Sequence, residues 1–159
     1  MRLDEIETRR LLRALDDPDH IEFPADHDPV QAAARFQRLD TQLRDTFGGG
    51  GGMLAQDATF LGDLSIPSLA TAGGHQINIV ISNFGNLAIV SPYVPDALLD
   101  DAEIEALLHP LDASRVYGLL DDLGYAVIPQ DPLDEYYDGA VAFLRKSAAR
   151  WVSRYFDYL

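Results

Sequence analysis

The chain has 159 residues, 47% of them hydrophobic, with a mean hydropathy of −0.07 and no cysteine. This is the composition of a folded domain with a real core, not of a disordered acidic tail, and it excludes disulfide scaffolds, thiolate metal sites and a cysteine nucleophile. The net charge of −14 is uneven: residues 1–47 hold eleven acids and seven bases, residues 53–138 hold fourteen acids and only Arg115, and residues 139–159 hold one acid and four bases.

The N-terminal "MRLDEIETRRLLRAL" is charged throughout and lacks an apolar segment, so it does not read as a secretory signal. Leu3, Ile6, Leu11, Leu12 and Leu15 place a short helix over 3–15, stopped by the Pro18 region. Residues 16–28 read as a polar loop. Asp28 and Pro29 then form an N-cap and first-turn pair. Ala32, Phe36, Leu39, Leu43 and Phe47 follow at helical spacing, and Gly48 is the expected C-terminal stop.

The run "GGGGG", 48–52, has no Gly-Lys-Ser/Thr ending and so is not a phosphate loop. It reads as a flexible linker between a helical N-terminal part, 1–47, and an α+β core, 53–159, within one domain. Residues 58–69 form a strand region. In "HQINIVISNFGNLAIVSP", 75–92, Ile77, Ile79 and Ile81 alternate with Asn78, Val80 and Ser82, and Leu87, Ile89 and Val90 follow an Asn/Gly turn. This is a β-hairpin pattern.

A short helix is expected at 100–108. A second is expected with Asp112 as its cap, Val116, Leu119, Leu120 and Leu123 on its inner face, and Gly124 at its end. Residues 125–129 read as a strand and 130–139 as a loop or sheet edge. A last helix, about 140–157, carries Val141, Leu144, Ala148, Trp151, Val152 and Tyr155 as its apolar stripe, with Arg145, Lys146, Arg150 and Arg154 off it. The fold class that results is α+β: a small, mostly antiparallel sheet with a central hairpin, flanked by about five helices.

Candidate chemistry is sparse. His20, Glu22, Asp26, His27 and Asp28 supply metal-ligand types, but at no standard ligand spacing, and Asp28 has the capping role. His75 precedes a strand; a general base needs a positioned partner, and neither Ser82 nor Ser91 sits in a nucleophile motif. His109, before Pro110, reads as a turn residue. A hydrolase or metal-dependent enzyme using His75 or the His20/His27 group is the alternative that these residues leave open. A structural or regulatory subunit whose acidity only confers solubility is another. No catalytic residue, metal ligand or cofactor is assigned.

The acids carry the stronger pattern. Fourteen carboxylates against one base repel nucleic-acid phosphates and anionic lipid and attract a basic protein. Asp121 and Asp122 fall near a helix C-terminus, where negative charge costs about 0.3–1 kcal/mol, so they do not serve that helix. The expected partner-binding residues are Asp100, Asp101, Glu103, Glu105, Asp121, Asp122, Asp131, Asp134 and Glu135, with Tyr136 or Tyr137 as an aromatic anchor. One of these two tyrosines should be buried and the other exposed.

The segment "GYAVIPQDPLDEYYDG", followed by "WVSRYFDYL", resembles the C-terminal half of small acidic bacterial proteins that act as immunity or accessory partners of polymorphic toxins. The hairpin is compatible with that resemblance; the five-glycine run is not part of it. The resemblance implies a cytoplasmic, non-enzymatic protein that binds a toxin domain and blocks its active site or nucleic-acid surface. It transfers no functional residue.

Overall fold

The computed structural model describes residues 2–159. Helix α1 (Glu5–Ala14) starts at a capping box, in which the Asp4 carboxylate accepts from the Glu7 amide and the Glu7 carboxylate accepts from the Asp4 amide. Helix α2 (Pro29–Phe47) has the expected start and stop. Asp28 accepts from the amides of Val30 and Gln31, and Gly48 ends the helix in the left-handed region at φ 76°.

Strands β1 (Gly51–Leu54), β2 (Phe60–Ile66), β3 (Ile77–Ser82) and β4 (Leu87–Pro92) form an antiparallel meander, and β5 (Ala126–Val127) adds to β4 in parallel. The result is a five-stranded, mostly antiparallel sheet in an α+β fold. Gly85 and Asn86, with φ 58° and 53°, make the β3–β4 turn, and the Leu87 amide donates to the Phe84 carbonyl across it. Both central residues are left-handed, the geometry that suits strand twist and that Asn and Gly reach most cheaply.

Helices α3 (Asp101–Leu107) and α4 (Pro110–Asp122) carry the chain from β4 to β5. Helices α2 and α4 cover one sheet face. Phe36, Leu39, Leu43, Val116 and Leu120 pack there on Leu64, Ile66, Ile77, Ile79, Ile81 and Val90. The opposite face of β4 and β5 is covered by α1 and the C-terminal segment: Leu12, Leu133, Val141, Trp151 and Tyr155 gather around Leu87 and Ile128. The chain start is tied to the same edge by the Leu3 amide donating to the Val127 carbonyl. No helix among the described residues is long and apolar enough to cross a membrane.

Three expectations are corrected. The glycine run is not a linker throughout, because Gly51 and Gly52 are residues of β1 and pair with Ser65 and Leu64. The helical part packs directly on these strands: Phe36 of α2 lies so close to β1 and β2 that a Cβ on Gly62 would stand 2.9 Å from its ring and 2.6 Å from the Met53 carbonyl oxygen. Glycine in these strands makes room for a helix, a role that composition does not reveal.

Asp112 does not cap α4. His109 does, its Nδ1 accepting from the Leu111 amide with Pro110 at the first position. Asp112 is buried and its carboxylate accepts from the amides of Ala72 and Gly73, both at 2.9 Å, which fastens the β2–β3 connection to α4.

The final helix is two short ones, α5 (Ala142–Lys146) and α6 (Trp151–Tyr155). Between them Ala148 turns left-handed at φ 53°, and the chain pairs with the loop before α5: the Tyr137 amide donates to Ala149 and the Trp151 amide to Glu135. In α6 Arg154 shares a buried face with Trp151 and Tyr155, although the apolar stripe of a single helix places it outside.

Candidate functional site

The sequence-predicted acids divide into two kinds. Asp101, at the first position of α3, is nearly buried; its two carboxylate oxygens accept from the amides of Gln130 and Asp131, both at 2.8 Å. Asp131 returns the contact by accepting from the Asp101 amide at 3.0 Å. The pair locks α3 to the 3-10 turn at Asp131–Asp134, so Asp101 and half-buried Asp131 are fold residues and not open contact sites. Asp100 and Glu103 form the capping box of α3 but stay exposed, as does Glu105.

Asp100, Asp101, Glu103, Glu105 and Asp131 are therefore brought together, and α1 adds Glu5. Their mutual field shows on Asp131. The hydrogen bond from the Asp101 amide pulls its pKa down, but burial and the charges of Asp101, Asp100 and Glu5 outweigh that and raise it overall. Glu105 and Asp101 also help hold the Tyr117 hydroxyl above its ordinary range, with burial the larger cause.

Three bases enter this face, Arg2, Arg9 and, through Asp134 and Tyr136, Arg150. Arg2 approaches Asp101 at 3.4 Å, and Arg9 bridges Glu135 at 2.6 Å and Glu5 at 3.0 Å. Glu135 is thus already paired. Asp134 is exposed, and its carbonyl, not its carboxylate, takes Arg150. Tyr136 and Tyr137 separate as expected. Tyr136 is 65% exposed with the Arg150 guanidinium 4.0 Å over its ring. Tyr137 is buried, donates to Asp16 and accepts from the Val141 amide, so it is not available as an anchor. Asp121 and Asp122 are exposed in the last turn of α4, about 18 Å along the helix from its junction with α3.

The histidine alternatives find little support in geometry. His20 Nδ1 lies 2.7 Å from Asp17 Oδ2, and His27 stacks on Phe23 with ring centroids 4.7 Å apart. Among the described residues no three metal-ligating side chains converge. His75 is half-buried before β3, and Ser82 is at the far end of that strand, its hydroxyl donating to the Tyr155 carbonyl. Ser91 donates to the Pro92 carbonyl. Neither serine is poised against a base.

Sequence reasoning missed a cleft. Asp28, the N-cap of α2, and Gln31, Ala32 and Arg35 on the helix below it line a cavity of about 320 Å³ with Asn83 and Asn86 at the β3–β4 turn and with Tyr125. A second cavity of about 410 Å³ shares His27, Leu61 and Asn83 with it. The only signal available beforehand was the i, i+3, i+4, i+7 spacing of Asp28, Gln31, Ala32 and Arg35, and their partners come from segments distant in sequence. Compared with family models, with curated proteins and with solved structures, the chain matches none.

Proposed function

We propose that this chain is an acidic, cytoplasmic binding protein that neutralises a basic protein partner, in the manner of an immunity protein against a bacterial toxin. The observation that carries the reading is the gathering of Glu5, Asp100, Asp101, Glu103, Glu105, Asp131, Asp134 and Glu135 around α3 and the adjoining turn, opposed there by Arg2, Arg9 and Arg150. Such a surplus steers a cationic partner in and slows dissociation little by itself; exposed Tyr136 supplies the apolar contact that holds it. A basic nuclease domain is the kind of partner whose phosphate-binding surface this face would occupy.

The test uses acids that take no structural contact. A double variant Glu105→Lys, Asp134→Lys keeps the caps and the Asp101–Asp131 lock intact. A partner captured from the native proteome at low salt should bind this variant on the order of tenfold more slowly, with a shallower salt dependence. Unchanged kinetics and salt slope would remove the acidic face as the interface.

A further inference from the structure

The two edges of the sheet are finished differently. At β5 the chain start closes the edge: Arg2 bridges Val127 in parallel, and the Leu3 amide donates to the Val127 carbonyl. At β1 the sheet ends with no strand beyond it among the described residues. We propose that the β1 edge, with the apolar groove it runs into, docks an extended segment of another protein, one that carries Leu, Met or Phe between lysines or arginines.

The edge supplies the backbone contacts. Ala55 donates its amide to the Leu61 carbonyl across the β1–β2 ladder, and the Met53 carbonyl oxygen also lies on the β2 side, 2.6 Å from where a Cβ on Gly62 would stand. Alternation along an antiparallel strand then turns the N–H and C=O groups of Gly52 and Leu54 away from β2. Among the described residues, no hydrogen bond from outside the ladder reaches them. Natural sheets blunt such an edge with lysine, proline or inward charge. Here residues 46–56 hold no charged side chain and no proline, and Met53 is 74% exposed. Arg44, the base nearest Gly51, is already paired with Asp40.

The groove supplies the side-chain contacts. Leu54 is the last residue of β1 and also a wall of the cavity of about 410 Å³, with Phe23, Pro29, Ala33 and Leu61 as further apolar walls. Phe23 is held in place by its stacking on His27. A strand added to β1 therefore has an apolar recess where the edge ends, the arrangement in which main-chain bonds give affinity and a pocket selects one side chain.

Charge decides the flanks. The cavity wall carries Glu22 and Asp57 and no lysine or arginine. Neither carboxylate enters an ion pair between described residues. A segment with bases beside its apolar residue meets both acids, and an acidic segment is repelled. A second copy of this chain is the poorer occupant, because each copy brings a net charge of −14.

The experiment is an amide-resolved NMR titration of the full chain with capped heptapeptides Thr-Lys-Thr-X-Thr-Lys-Thr, in which X is Leu, Met or Phe, each up to about 2 mM. Two controls run beside them: X as Asp, and X as Leu with Glu in place of both lysines. Saturable shifts are expected at Phe23, Ala33, Gly52 and Leu54, with slowed hydrogen exchange at Gly52 and Leu54. Both controls should bind about tenfold or more weakly. Leu54→Pro removes one outward N–H and should abolish binding. Because proline can also disturb β1, Asp57→Asn is the second variant. Asparagine tolerates the left-handed backbone at this position, φ 51°, and the change should weaken binding about threefold at low salt. No saturable shift with any of the three peptides, shifts confined to other residues, controls that bind equally well, or an affinity unaltered by Asp57→Asn would each overturn the proposal. So would concentration-dependent protection of Gly52 and Leu54 without peptide, which would make a second copy the occupant. None of these outcomes bears on the basic-partner reading, which rests on the carboxylates around α3.

Discussion

Arg154 shows how much one side chain can organise. It is fully buried, pairs with Asp16 at 2.9 Å, and donates to the carbonyls of Asp17, His20 and Ile21, while its guanidinium lies 4.6 Å from the centre of the Phe84 ring. Asp16 in turn accepts from the Tyr137 hydroxyl and the Ala140 amide. One cation thus binds the 16–21 loop to α6 and to the segment before α5. Arg154→Met should cost about 3–5 kcal/mol, because it leaves the buried Asp16 uncompensated and strips three carbonyls of their donor. Denaturant unfolding measures this; a loss below about 1 kcal/mol would mean that the pair is dispensable. Adding Asp16→Asn should recover part of the loss. At this scale the sequence was hardest to read: Arg154 lies off the apolar stripe of a single helix, yet in the short α6 it shares a buried face with Trp151 and Tyr155.

At the scale of elements, periodicity and capping account for most of what formed. The Asp28–Pro29 start, the Gly48 stop and the alternating isoleucines of β3 need only their own neighbours to be recognised. The glycine strand and the split C-terminal helix were not legible for the opposite reason. Gly51 and Gly52 become a strand because β2 offers them a ladder, and α5 and α6 part because the 135–137 segment pairs with the backbone between them. Phe36 seated over Gly62 gives a direct check. Gly62→Ala should destabilise the protein by about 1–3 kcal/mol through forced displacement of the ring and the β1–β2 ladder, whereas Gly118→Ala, in open space on α4, should be neutral or mildly stabilising. Thermal melts of the two variants compare a strand glycine that cannot accept a methyl group with a helical one that can. Equal melts would show that α2 does not press on the sheet as described.

For the whole molecule, ionisation links packing to stability. Burial pushes the Tyr125 hydroxyl up to about 12. Burial and the hydrogen bond to Asp16 do the same to Tyr137, to about 12, and Tyr155 is raised further by burial. An unfolded tyrosine ionises near 10, so above that pH the native state holds more protons than the unfolded chain. Stability from these groups is intact below about pH 10 and falls as pH rises toward 12. A phenolate absorbance titration should show a late-ionising group of tyrosines, and the denaturant midpoint should drop between about pH 10 and pH 12. A midpoint flat over that range would show that these hydroxyls are not held as described. The same scale governs the acidic face, since the excess charge is a property of the surface as a whole and not of any one carboxylate.

By itself the sequence determined the class of the fold, the hairpin, four of the helices and the uneven charge, because each depends on local periodicity, a capping pair or simple counting. Tertiary structure decided which acids are open and which are structural. Asp101, Asp112 and Asp131 look like their neighbours in the chain, yet their carboxylates bind backbone amides far away in sequence. It also decided the cleft, whose walls come from α2, the β3–β4 turn and Tyr125. A carboxylate's role depends on what faces it, and what faces it is set by chain crossings that no linear spacing records.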